Sequence, residues 1–168
     1  MKLMFLRKTL DWGHHLVKVT YDYMLELAAR KNAMLFLFIV AFVESSFFPI
    51  PPDIMLIPMV LATPAKAYRI AGLATVASVL GGYFGYLIGV FGYDLIAKPI
   101  LTFYGYMSQF DVFKGYYHEW GAWIVFGAGL TPFPYKVVTI ASGVVHLDLL
   151  VFTVASVLAR GGRFFLVA

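Results

Sequence analysis

Three closely spaced prolines and an aspartate interrupt an apolar run in SSFFPIPPDIMLIP, residues 45–58. Proline lacks an amide N–H and its ring clashes with the preceding turn, so no straight helix passes through Pro49, Pro51 and Pro52. Inside a membrane, irregular backbone survives only where protein or water surrounds it. The apolar runs on either side, residues 33–43 and 54–62, each cover roughly half of a hydrocarbon core about 30 Å thick. The pattern predicts a re-entrant hairpin that enters and leaves on one side. The alternative, ordinary spanning helices with proline kinks, needs all of residues 33–62 for one crossing, with a charge-bearing break at its middle.

Composition supports a membrane setting. Of 168 residues, 61% are apolar and only 13% charged, less charge than the surface of a soluble domain requires. The length suits one domain. The absence of cysteine excludes disulfides and thiolate chemistry. The net charge of +4 carries no nucleic-acid signal, because no basic stripe with interleaved aromatics accompanies it. Leu3, Leu6, Leu10, Val17, Tyr21, Met24 and Ala28 fall at helical spacing among basic residues, so residues 1–31 are expected to form an amphipathic helix on an anionic membrane face. That segment lacks the apolar core of a cleavable signal peptide. A soluble extension is the plainer alternative.

Residues 70–93 form a chargeless run long enough to cross a bilayer. Residues 94–120 mix charges with aromatics and read as an interfacial linker, for which a helix lying flat is one form. A short run at 122–131 is then stopped by Pro132 and Pro134, residues 135–145 continue, and a final apolar helix opens at Leu147. The chain ends inside that helix, at RFFLVA, which predicts further residues beyond it.

Two matches link the halves. FPIPPD (48–53) aligns with TPFPYK (131–136), and TVASVL (75–80) recurs at 153–158. They imply a duplication with repeat one at 33–93 and repeat two at 122–168, within a membrane domain of residues 32–168. If each proline segment returns to its own side and each TVASVL helix crosses once, the repeats are inverted, a common plan in secondary transporters. Residues 1–31 carry six Lys or Arg against three acids, Lys66 and Arg69 follow, and 94–120 is net −1. The positive-inside rule therefore puts the N-terminus in the cytoplasm of a multi-pass protein. The expected fold is all-α and integral to the membrane, an inverted repeat of re-entrant hairpin plus transmembrane helix.

Glu44, Asp53, Lys136, Arg160 and Arg163 fall at predicted membrane depth. At roughly 3 kcal/mol each, they cannot all face lipid. Both acids belong to repeat one and the three bases to repeat two, so the simplest expectation gathers all five in one cavity. There the bases would bind an anionic group such as a lipid phosphate, and an acid would carry a proton. A static ion-pair cluster locking the halves is the alternative. Gly81, Gly85 and Gly89 share one helix face and would admit a close neighbour. Ser45, Ser46, Thr131 and Ser142 would satisfy broken-helix backbone groups or line a polar path. His14, His15, His118 and His146 lack metal-site spacing, and no nucleophile constellation suggests an enzyme. No metal, cofactor or nucleic-acid partner is expected; a homo-oligomer is left open.

An acid shortly before FPIPPD, the later GLTPFPYKVVTIASG and an arginine in the last helix together resemble the DedA family of bacterial membrane proteins, whose domain is also called VTT or SNARE-associated, and look most like its YqaA-type branch. The likeness covers residues 33–166. It implies two opposed re-entrant hairpins, the bacterial inner membrane, and translocation of a phospholipid or polyprenyl phosphate with protons as a partner. It also implies that Glu44 and Asp53 are essential acids and that Lys136 replaces the second of two arginines. The first arginine is missing, since GAGL (127–130) holds no base. Arg160 and Arg163 are expected to stand in for it. A proton-coupled carrier of a small ion or cationic drug, and a non-transporting scaffold, remain competing expectations.

Overall fold

The computed structural model describes residues 22–24, 26–46, 51–103, 105, 107–131 and 134–168, without the side chains of 96, 97, 100 and 109. It contains helices α1 (Ala33–Ser46), α2 (Asp53–Ala62), α3 (Ala67–Gly92), α4 (Lys98–Phe103), α5 (Met107–Leu130), α6 (Tyr135–Val144) and α7 (Leu149–Val167). A 3₁₀ turn, Pro64–Lys66, leads into α3, and a π turn, Tyr93–Ala97, follows it. There is no strand among the described residues.

The prolines that are described at the breaks stand where their missing N–H costs nothing. Pro52 immediately precedes α2 and Pro134 immediately precedes α6. Pro49 and Pro132 lie outside the described residues. Helix α6 ends in a Schellman turn: Leu147 N donates to Ser142 O, His146 N donates to Gly143 O, and His146 takes the left-handed conformation at φ 55°. Asp148 then caps α7, its Oδ1 accepting from Leu150 N at 2.9 Å and Val151 N at 3.0 Å. Replacing Asp148 with alanine removes both acceptors. The expected cost is about 1 kcal/mol, readable as a lower thermal midpoint in detergent.

Two helix–break–helix hairpins approach α3 from opposite ends. Helix α1 runs parallel to α3, with Ala33 and Leu37 in one core with Ile70 and Ala74, and Ser45 beside Ser78. Helix α2 returns along that core through Met55, Leu56 and Met59. In the second hairpin α5 descends and α6 climbs back beside the other half of α3, so that Thr139 lies at Gly85 and Ile140 at Gly89. Tyr117, Val125, Tyr135, Val138 and Phe152 form a second core there. Helix α7 runs antiparallel to α3: Tyr68 packs on Phe165, Arg160 reaches Ser78, and Tyr83 shares a hydrogen bond with Thr153.

The glycine face allows this proximity. Gly81, Gly85 and Gly89 are all buried. A Cβ on Gly81 would overlap Phe42 O of α1, on Gly85 Thr139 Oγ1, and on Gly89 Ile140 O of α6. The residues 64–95 and 149–167 form two helices long and apolar enough, by length and composition, to cross a membrane.

One boundary differs from expectation. Residues 94–120 do not close before a new helix at 122, since α5 runs unbroken from Met107 to Leu130. Phe110 and Tyr117 of the stretch pack into the second core, the exposed Phe113 ring lies against both, and the Tyr117 hydroxyl lies 2.9 Å from Ser142 Oγ. Asp111 and Glu119 fall on the exposed side. Most of the amphipathic segment expected at 1–31 lies outside the described residues. Its end is helical at 22–24 and 26–29, with Met24 and Leu27 buried against the first core.

Candidate functional site

Four of the five charges expected at membrane depth form two ion pairs. Glu44, in the last turn of α1, accepts from Arg160 Nη2 of α7 at 2.8 Å. Arg160 Nε donates to Ser78 Oγ of α3 at 2.6 Å. Ser78 Oγ lies 2.6 Å from Ser45 Oγ, and Ser45 Oγ donates to Glu44 at 3.2 Å. Only one proton assignment satisfies all four contacts around an ionised Glu44. Ser78 accepts from arginine and donates to Ser45, and every donor chain ends on the carboxylate. The guanidinium is also sandwiched between the rings of Tyr135 (4.9 Å) and Phe164 (4.8 Å). Arg160 is only 1% exposed. Its positive charge is therefore fully committed to protein groups.

The second pair is more open. Asp53 opens α2, and its Oδ2 accepts from Arg163 Nη2 at 2.5 Å. Arg163 Nη1 donates to Thr131 O at 3.3 Å, the residue just after α5. One side chain thus joins both hairpin breaks. The side chains are 22% exposed for Arg163 and 20% for Asp53. The other oxygen, Asp53 Oδ1, is buried without a hydrogen-bond partner. An unpaired buried acceptor carries a desolvation cost, which marks this end of the carboxylate as a place where a hydrogen-bond donor would be stabilised. Tyr135 Oη and Ser156 Oγ are likewise buried without a well-formed hydrogen bond.

Lys136 does not join the cluster. It stands in the first turn of α6, half-buried, and no acid among the described residues lies within ion-pair distance of it. The cause is helical geometry. Tyr135 is turned inward beneath Arg160, and the next residue of a helix points about 100° away. Pro51 and Pro134 are exposed and Pro52 buried, so these prolines shape the breaks and bring no polar group to the pairs.

Three contributors are not singled out by the sequence: Ser78, Tyr135 and Phe164. Ser78 carries the clearest signal, a hydroxyl within a chargeless helix at the repeated TVASVL. Ser45 and Thr131 do more than satisfy local backbone. Ser45 orders Glu44, and Thr131 lends Arg163 its carbonyl.

Fold and site define an all-helical protein with two helices able to span a membrane and two acid–base pairs that join its first hairpin to α7. Over most of its length the chain is similar to two bacterial proteins. An uncharacterized protein of Haemophilus influenzae is 38% identical over 148 residues, 88% of this chain and 77% of that protein. An uncharacterized protein of Histophilus somni is 40% identical over 147 residues, 88% of this chain and 76% of that protein. The chain belongs to the family that contains these two proteins. No family model and no solved structure matches it.

Proposed function

We propose that the chain is a lipid translocase of the bacterial cytoplasmic membrane, related to the DedA family. It passes the phosphate head group of a phospholipid or polyprenyl phosphate between the two hairpin breaks while the tails stay in the bilayer. The observation that carries this reading is the link made by Arg163, which holds Asp53 of one break and Thr131 O of the other while remaining part-exposed. A phosphate is a strong bidentate partner for guanidinium and can take the place of Asp53. The displaced carboxylate then takes a proton from water, so head-group entry and proton uptake are coupled at one residue. Arg160 keeps the halves in register and does not touch the substrate.

The outer surface supports a bilayer setting. Leu61 (74% exposed), Leu95 (77%) and Leu166 (82%) project outward, where hydrocarbon suits them better than water. With the N-terminal segment and Lys66 cytoplasmic by the charge rule, the α1–α2 hairpin dips in from the cytoplasm and α5–α6 from outside. The two form the inverted repeat that the duplicated motifs suggest.

Reconstitution into liposomes with labelled lipids tests the reading. Arg163→Ala and Asp53→Asn are expected to slow lipid movement by about tenfold or more, the worth of one lost charge-assisted contact, with little change in protein yield. Wild-type rates in both variants would remove the role of the pair. Proton or cation flux that needs Asp53, without lipid movement, would favour an ion or drug carrier.

A further inference from the structure

A second basic feature lies away from these pairs. A cavity of about 210 Å³ opens where the N-terminal segment meets α1, α2 and the turn before α3. Arg30, Lys31 and Lys66 line its rim; Met34, Met59 and Ile70 line its apolar part, with Met59 and Ile70 buried. Among the described residues, no acid lines it. Glu26 pairs with Arg30 at 2.7 Å, but neither Lys31 nor Lys66 has an ion-pair partner among the described residues. The starts of α1 and α3 border the cavity with the positive ends of two helix dipoles, against the one negative end that the last turn of α2 brings. Asp53 opens α2 and Lys66 lies in the turn beyond its other end, so the 10-residue helix removes the cavity from the Asp53–Arg163 pair by roughly 15 Å.

We infer that this cavity binds the phosphate head group of an anionic phospholipid of the cytoplasmic leaflet as a resident lipid, distinct from the lipid that is moved. The chemistry selects this occupant. Unpaired ammonium groups meet the phosphate, and the methionine- and isoleucine-lined wall takes the first methylenes of the acyl chains. A free phosphate ion would make no use of that wall, and an uncharged surface would make no use of the lysines. The inference rests on the membrane setting proposed above but not on lipid movement.

The test uses the purified full chain in a neutral detergent. Phosphatidylglycerol is titrated against phosphatidylcholine and inorganic phosphate, with bound lipid read by native mass spectrometry and stability by thermal midpoint. Phosphatidylglycerol is expected to bind and raise the midpoint, and the other two to leave it unchanged. Each lysine near an anionic head group is worth roughly fivefold in affinity, so Lys31→Ala/Lys66→Ala is expected to weaken phosphatidylglycerol binding by about 25-fold. Lys98→Ala, at an exposed lysine elsewhere, should bind like wild type. Equal binding of phosphatidylcholine, a full effect from inorganic phosphate, unchanged binding by the double variant, or equal loss in Lys98→Ala would each overturn the inference. A chain that retains this lysine-dependent lipid but moves none would fail the translocase reading alone. One that moves lipid with no lysine-dependent lipid would fail this inference alone.

Discussion

Arg160→Ala is expected to destabilise the protein by about 3–5 kcal/mol and to abolish lipid movement. Removing one partner of a buried pair leaves the other charge uncompensated. Here the loss also frees Ser78 of its donor and empties the space between Tyr135 and Phe164. Arg160→Met keeps most of that volume and separates packing from charge. It should recover part of the stability while Glu44 remains unpaired. The decisive comparison is Glu44→Gln/Arg160→Met, since replacing both partners of a buried pair is often near neutral. The double variant is expected to regain most of the thermal midpoint in detergent. If it also regains lipid movement, Glu44 and Arg160 form a lock and nothing more. If stability returns and movement does not, Glu44 takes part in transport.

That outcome matters because the proposed function gives the two pairs different tasks, and their surroundings differ. Arg160 has a carboxylate, a hydroxyl and two aromatic faces, and almost no exposure. Arg163 has one carboxylate oxygen and one carbonyl, and is part-exposed. They lie one turn apart on the same helix and differ in exposure rather than in charge, and on the proposed function that difference divides structure from exchange.

The local features of the fold were legible because they are properties of single residues. Proline cannot occupy a helix interior without loss, so Pro52 and Pro134 mark helix starts. Glycine spaced by four leaves a flat face, and Gly81, Gly85 and Gly89 line the contacts of α3 with α1 and α6. The charges in apolar runs announced that partners must exist, but their pairing depends on where helices cross. Glu44 meets Arg160 because its neighbour Ser45 and Arg160 both reach α3 at Ser78, a coincidence of three helices that no local pattern encodes. Lys136 illustrates the limit. The internal alignment equates it with Asp53, and each does stand in the first turn of its own short helix. Equivalence in a duplicated plan says nothing about mutual distance. The linker at 94–120 differs in its boundary. Its mix of charges and aromatics hid a helix that runs on to Leu130, with Asp111 and Glu119 exposed while Phe110 and Tyr117 pack against the core.

Gly89→Ala and Gly143→Ala are each expected to cost about 1–3 kcal/mol, the range for overpacking a tight contact. A Cβ on Gly89 would overlap Ile140 O, and one on Gly143 would overlap Tyr86 O. Both obstacles are helix backbone, which cannot swing aside as a flexible side chain can. The new Cβ of Gly143→Ala would also lie 3.0 Å from Gly89 Cα. The two changes therefore strain one contact, and the double variant should cost less than the sum. Gly72 supplies the contrast. It lies in the same helix as Gly89, and a Cβ there would meet nothing within 4 Å, so Gly72→Ala should stabilise by up to about 1 kcal/mol through helix propensity. Thermal midpoints in detergent distinguish these signs. The effect on function follows from leverage. Helix α6 has only 10 residues, and pushing its far end from Gly89 tilts the end that carries Tyr135 beneath Arg160. Lipid movement should therefore fall in Gly89→Ala even at temperatures where the variant stays folded. A neutral Gly89→Ala, in stability and transport alike, would mean that α6 does not lie against α3 at this level, and the seam between the hairpin breaks would lose its outer wall.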